Sequence, residues 1–168
     1  MSNPKVAVIM GSDSDFDTMR GCISKLKKFG VDCDVRVISA HRTPKAAEDF
    51  SKHAQQNGYE VIIAAAGKAA HLAGVLAAST TLPVIGVPIK SSAMDGLDSL
   101  LSTVQMPSGI PVATVAINGS DNAGILAVQM LALKYPELSE KLAAFKQEMA
   151  DGVAKKDEKI AQMAQEVE

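Results

Sequence analysis

"KVAVIMGSDSD" (residues 5–15) runs an unbroken apolar stretch straight into a cluster of small polar and acidic residues. The apolar part is rich in β-branched side chains and does not alternate with polar ones, as expected of a strand covered on both faces. "DFDTMRGCISKLKKF" (15–29) follows with helical periodicity, and Gly30 supplies the usual C-terminal stop. Strand, polar turn, helix is the opening of a crossover unit.

The pattern then repeats. "CDVRVI" (33–38), "VIIAAA" (61–66), "PVIGVPI" (83–89) and "VATVAI" (112–117) read as four more strands. Between them lie helical segments. Thr43 with Pro44 marks a helix start that runs to about Gln56. "AAHLAGVLAAST" (69–80) is apolar or small throughout and predicts a buried helix. "GLDSLLSTV" (96–104) and "NAGILAVQMLALK" (122–134) complete the set. Strands separated by helices imply right-handed crossovers and a parallel sheet. The expected architecture is three-layer α/β/α with a central parallel five-stranded sheet, flavodoxin-like or Rossmann-like in type. Residues 1–168 read as one α/β domain with a C-terminal helical tail from about residue 136. Leu138, Leu142, Phe145 and Met149 make an apolar stripe along that tail. Gly152 is a candidate break before Ile160, Met163 and Val167 resume the stripe.

Composition narrows the function classes. The chain has 168 residues and is 47% hydrophobic, enough for a real core. Its formal net charge of -2 offers no global field for nucleic acid. No apolar run is long enough to span a membrane. Lys5 opens a run too short for a signal peptide, and the two cysteines, Cys22 and Cys33, have neither metal nor CxxC spacing. A cytoplasmic protein with reduced thiols is the expectation. Extra apolar surface on the third and last core helices favours an oligomer.

Open parallel sheets bind ligands beyond the carboxyl ends of their strands, and polar signals fall there three times. In "GSDSD" (11–15), Ser12 and Ser14 place hydroxyls beside a helix start, a natural phosphate position. Asp15 or Asp13 is suited to accept from a ribose diol. By themselves these residues read more simply as helix caps. In "SAHRTP" (39–44), Ser39 and Arg42 suit phosphate oxygens, and His41 can move protons near neutral pH. In "AGKAAHLAG" (66–74), Gly67 and its small neighbours let a ligand approach the backbone. His71 reads equally as a second polar contact or as a buried, satisfied histidine. Lys68 and His53 read as solvated. "QMPSGIP" (105–111) is a rigid connection by default, or a loop that closes over substrate or meets a partner chain.

Taken together, "MGSDSD", "SAHRTP", "AGKAAHLAG" and "DSLLSTVQMPSGIPVATVAI" closely resemble the class I N5-carboxyaminoimidazole ribonucleotide mutases of bacterial purine biosynthesis. The resemblance runs from the first strand to about Lys134, and four motifs in order are specific where one would be weak. It implies a cofactor-free, metal-free enzyme, a homo-octamer with active sites near subunit contacts, and a small ribonucleotide substrate. It implies that His41 is catalytic, and that Ser12, Ser14, Asp15, Ser39, Arg42, Gly67 and His71 bind substrate. The chain departs from the family pattern "AGGAAHLPG" at Lys68, where a Gly is usual, and at Ala73, where a Pro is usual. The related carboxylase class, which uses free CO2, has a basic residue at the Lys68 position within "AGRSN", but lacks the histidine. The intact "AAHL" with His71 therefore implies the mutase. The rival readings are that carboxylase, a non-catalytic nucleotide-binding module, and a flavodoxin-like electron carrier. The last is disfavoured because flavin-sandwiching aromatics are missing from the strand ends.

Overall fold

A computed structural model describes residues 3–167. Five parallel strands form one sheet: β1 (Lys5–Met10), β2 (Asp32–Val37), β3 (Val61–Gly67), β4 (Val84–Ile89) and β5 (Ala113–Thr114). Their order is β2-β1-β3-β4-β5. The chain thus steps outward from β1 to β2 and then returns past β1 to β3. The switch in direction lies between β1 and β3, where such sheets open a crevice.

Helices cover both faces. On one side α1 (Phe16–Phe29), α5 (Ser120–Ala132) and the start of α6 (Pro136–Gln165) enclose Val6, Val8, Ile63, Ile85, Met19 and Leu26. On the other, α2 (Pro44–His53) and α3 (Leu72–Ala77) enclose Ala7, Ile9, Ile62, Phe50 and Leu76. α4 (Leu97–Val104) lies on β4, with Thr103 over Gly86, where an added Cβ would stand 2.3 Å from the threonine methyl. Each large aliphatic side chain buried this way stabilises the fold by roughly 1.5–3 kcal/mol. α1 and α5 approach closely because glycines face the contact: a Cβ on Gly124 would lie 2.9 Å from the Cys22 carbonyl oxygen. The Cys22 thiol is sealed there, and burial pushes its pKa up to about 12.

Several expectations shift in detail. β2 is an edge strand, not a doubly covered one. Its residues alternate between half-buried and exposed because Asp32, Asp34 and Arg36 face solvent. Asp34 joins Lys5 at 2.7 Å and accepts from the Tyr59 hydroxyl at 2.6 Å, which ties the edge to its neighbours. β5 pairs over two residues only, after which Val115 and Asn118 follow β4 through single bonds to Gly86 and Pro88 carbonyls. α2 ends at His53, short of Gln56, and α3 begins at Leu72, because Ala69 and Ala70 form a turn. α6 runs unbroken through Gly152. Its first turns pack, with Leu138 buried and Phe145 edge-on to Phe29, whereas Met149, Val153, Ile160 and Met163 are exposed.

Candidate active site

The carboxyl ends of β1, β2, β3 and β4 converge on one cleft of about 640 Å³. All eight residues singled out from the sequence line it: Ser12, Ser14, Asp15, Ser39, His41, Arg42, Gly67 and His71. Three loops far apart in the chain thus meet at one rim.

The β1 loop is ordered by its own side chains. Ser12 is extended and caps the 3-10 turn Asp13–Asp15, its hydroxyl oxygen accepting from the Ser14 amide at 3.3 Å. The Ser14 hydroxyl donates to Ser12 Oγ at 2.9 Å. Asp15 is the one buried acid of the loop. Burial raises its pKa above the ordinary carboxylate value, against the opposing pull of the Ser12 amide and the Ser14 hydroxyl. This geometry leaves Asp15 as the carboxylate facing the cleft and Asp13 in solvent.

The β2 loop is folded around Ser39. The Thr43 side chain accepts from the Ser39 amide at 3.1 Å and donates to the Ser39 carbonyl at 2.9 Å. Thr43 therefore stands at the helix start but turns its hydroxyl back into the loop and caps no amide of α2. Ser39 Oγ accepts from the Arg42 amide at 3.1 Å and from Arg42 Nε at 3.4 Å. Arg42 Nη2 reaches the Gly11 carbonyl at 3.4 Å. The guanidinium is thereby laid across from the β2 loop to the β1 loop, with donors left over.

The β3 loop brings the second histidine. Gly67 packs against β4 so closely that a Cβ would meet the Ile89 carbonyl oxygen at 3.3 Å. His71 precedes α3, is exposed and lines the cleft, so it is not a buried, satisfied histidine. His41 Nε2 lies 2.8 Å from His71 Nδ1, with the rings edge to face at a centroid separation of 5.0 Å. One ring nitrogen must donate and the other accept, so at this contact the two imidazoles share one proton.

Sequence reasoning missed the fourth strand end. Lys90, Ser91 and Ser92 also line the cleft. Asn118 holds that loop by accepting from the Lys90 amide at 2.9 Å, and the Ser91 hydroxyl donates to Asp98. The signal was present: "KSS" follows "VIGVPI" just as "GSDSD" follows the first strand. Lys68 lines the cleft as well. "QMPSGIP" does not reach it; Gln105 and Met106 instead border a second hollow of about 450 Å³ that shares His71. His53 is exposed on α2, with Nδ1 2.8 Å from the Asp49 carbonyl oxygen. Among the described residues, no group of three or more His, Cys, Asp or Glu is placed to hold a metal ion, and no helix is long and apolar enough to cross a membrane.

Comparison with known proteins gives a consistent result. A sequence model of the AIR carboxylase family matches residues 5–152. The chain is similar to the N5-carboxyaminoimidazole ribonucleotide mutase of Pyrococcus horikoshii, 54% identical over 163 residues, covering 97% of this chain and 92% of that protein. It is 51% identical to the mutase of Thermotoga maritima over 160 residues, 95% and 94% of the two chains. For the Mycobacterium tuberculosis mutase the identity is 53% over 161 residues, 96% and 92% of the two chains. Among solved structures, Treponema denticola PurE superposes with a TM-score of 0.85 at 28% identity, covering 94% of this chain and 98% of that one. A 2-1-3-4-5 sheet, a cleft at its switch point and relatives alike over nearly their whole length lead to one assignment: the chain belongs to the AIR carboxylase family, among its N5-carboxyaminoimidazole ribonucleotide mutases.

Proposed function

We propose that the protein converts N5-carboxyaminoimidazole ribonucleotide to 4-carboxyaminoimidazole ribonucleotide in purine biosynthesis, in two steps within one cleft. The observation that carries this reading is the His41–His71 contact at 2.8 Å in a cleft that also holds Arg42 and the serines. Ser12, Ser14, Ser39 and Arg42 bind the phosphate, Asp15 the ribose hydroxyls, and Gly67 and His71 the base. Remote binding energy then holds the heterocycle where the imidazole can reach it.

In the first step the exocyclic N–C bond breaks. Its electron pair stays on nitrogen, His41 donates the proton that neutralises it, and CO2 is released beside aminoimidazole ribonucleotide. Ala66 and Ala69 are cleft-lining apolar residues that favour a dry enclosure for the CO2. In the second step ring carbon 4 attacks CO2 and forms the new C–C bond. His41 then removes the carbon 4 proton, which restores the aromatic ring and returns the histidine to its starting state. No proton, electron or atom is gained overall, and one imidazole that gives a proton and later takes one serves both transfers.

A cytoplasmic homo-octamer, and one α/β domain over 1–168 with its tail from about 136, belong to the same reading. Exposed Leu97, Leu101 and Val104 on α4, with Val153 and Ile160 on α6, support assembly. The deciding experiment supplies the N-carboxylated nucleotide to one sample, and aminoimidazole ribonucleotide with bicarbonate to another, without ATP. Product forming efficiently from the first at low bicarbonate supports the mutase. Product from the second alone would make the protein a carboxylase, and product from neither would leave a nucleotide-binding module.

A further inference from the structure

We propose that Lys68 binds the migrating carboxylate of the substrate, a contact that sets the affinity for carboxylated nucleotides; this rests on the mutase reading above. Lys68 has φ of +56°, one of three non-glycine residues with positive φ among those described. Asp95 and Asn118 are the others, and short polar side chains tolerate this region best. Asn118 also earns its conformation by bonding the Lys90 amide. Lysine has neither excuse. Backbone strain retained at a cleft is a reason to look for function.

Charge supplies the second argument. Two lysines line the cleft, and one of them, Lys90, stands 3.1 Å from the Asp95 carboxylate. Among the described residues, the Lys68 ammonium has no such partner although it lines the cleft. Position supplies the third. Lys68 follows the strand that delivers His71, three residues ahead of it, and His71 touches His41. The phosphate-suited hydroxyls and Arg42 come from the β1 and β2 loops instead. A free cation on the imidazole side of the cleft is therefore matched to the substrate's other anionic group.

The carboxylate is charged before and after transfer and uncharged as CO2. A cation beside it stabilises the bound carboxylate more than the CO2-like transition state, so its loss raises KM and does not lower kcat. The test measures steady-state kinetics with the N-carboxylated nucleotide, and equilibrium binding of aminoimidazole ribonucleotide, for wild type and for Lys68→Met, Lys68→Arg and Lys68→Gly. Lys68→Met is expected to raise KM about tenfold, the loss of one charge-assisted contact, with kcat undiminished. Binding of the uncarboxylated nucleotide stays within about twofold of wild type, because that ligand lacks the group. Lys68→Arg restores most of the affinity, and Lys68→Gly matches Lys68→Met, which separates charge from backbone strain. An unchanged KM in Lys68→Met overturns the proposal. Equal weakening of both nucleotides overturns it in favour of a phosphate contact, and a fall in kcat at constant KM overturns it in favour of a positioning role. Wild-type protein that fails to turn over the carboxylated nucleotide overturns the mutase reading together with this one, whereas an active wild type with an indifferent Lys68→Met overturns the lysine alone.

Discussion

The two sides of the cleft are built on different principles. On the β1 and β2 side, Ser12, Ser14, Ser39, Thr43 and Arg42 satisfy one another through hydrogen bonds of 2.9–3.4 Å, so that the loops are set before any ligand arrives. On the β3 side, Gly67 is squeezed against Ile89, Lys68 sits in a left-handed conformation, and His71 is exposed. The first side is preorganised for a fixed group such as phosphate. The second is spare and small-chained, leaving room for a moiety that changes shape and charge. His41 is the link, rooted in one side and touching the other.

Cutting that link carries the largest expected effect. His41→Asn removes the imidazole proposed to carry the proton and keeps a polar side chain in the cleft. Turnover falls by about 10²–10⁴, while a calorimetric titration with aminoimidazole ribonucleotide still shows binding. Retained turnover would move the chemistry to His71.

Next is the preorganised side. Arg42→Ala withdraws charge-assisted bonds worth about 1.5–3 kcal/mol, so nucleotide affinity weakens by an order of magnitude or more. The same titration reads it, and an unchanged dissociation constant would leave the phosphate held by hydroxyls alone.

Asp15→Asn tests whether that side sacrifices stability for binding. Burial raises the Asp15 pKa in the folded chain, so the native state holds the proton more tightly than the unfolded chain does. Stability from this group is therefore greatest at acid pH, and it declines as pH rises from the ordinary carboxylate pKa through the raised one. Asp15→Asn should bind nucleotide more weakly yet unfold at higher urea near pH 7, with the gain vanishing at acid pH. A variant less stable than wild type at pH 7 would mean that the carboxylate's hydrogen bonds outweigh its burial.

The smallest effect is expected on the sparse side. Lys68→Gly relieves a left-handed lysine, about 1–2 kcal/mol, and adds unfolded-state freedom of roughly 0.5–1 kcal/mol. Urea melts should show a net gain of up to about 1.5 kcal/mol. A loss would show that the Lys68 conformation is held by packing.

Much of this was readable from the chain. β1, β3 and β4 announce themselves because a strand covered on both faces must be apolar throughout, and the rim follows from where such strands end. β2 was misjudged as doubly covered although "DCDVRV" alternates, because Ile38 beyond it makes the run look continuous. β5 looked longer than its two paired residues, since its pattern says nothing of how far β4 runs beside it. Gly152 passes through α6 because its side of the helix meets nothing, and a glycine in a long helix weakens without ending it. At the cleft, residue types were legible, but the His41–His71 distance and the Lys68 backbone are products of loop geometry that no local pattern encodes.

The close crossing of α1 and α5 has a consequence for how the chain is made. The Ser120 hydroxyl donates to the Thr18 carbonyl across 102 positions, and Gly124 nests on Cys22. Synthesis begins at the amino end, so the apolar face of α1 must wait, uncovered, until α5 has left the ribosome. The nascent polypeptide therefore leaves the α5-facing side of α1 exposed until late in elongation, and its final collapse is dominated by contacts distant in sequence.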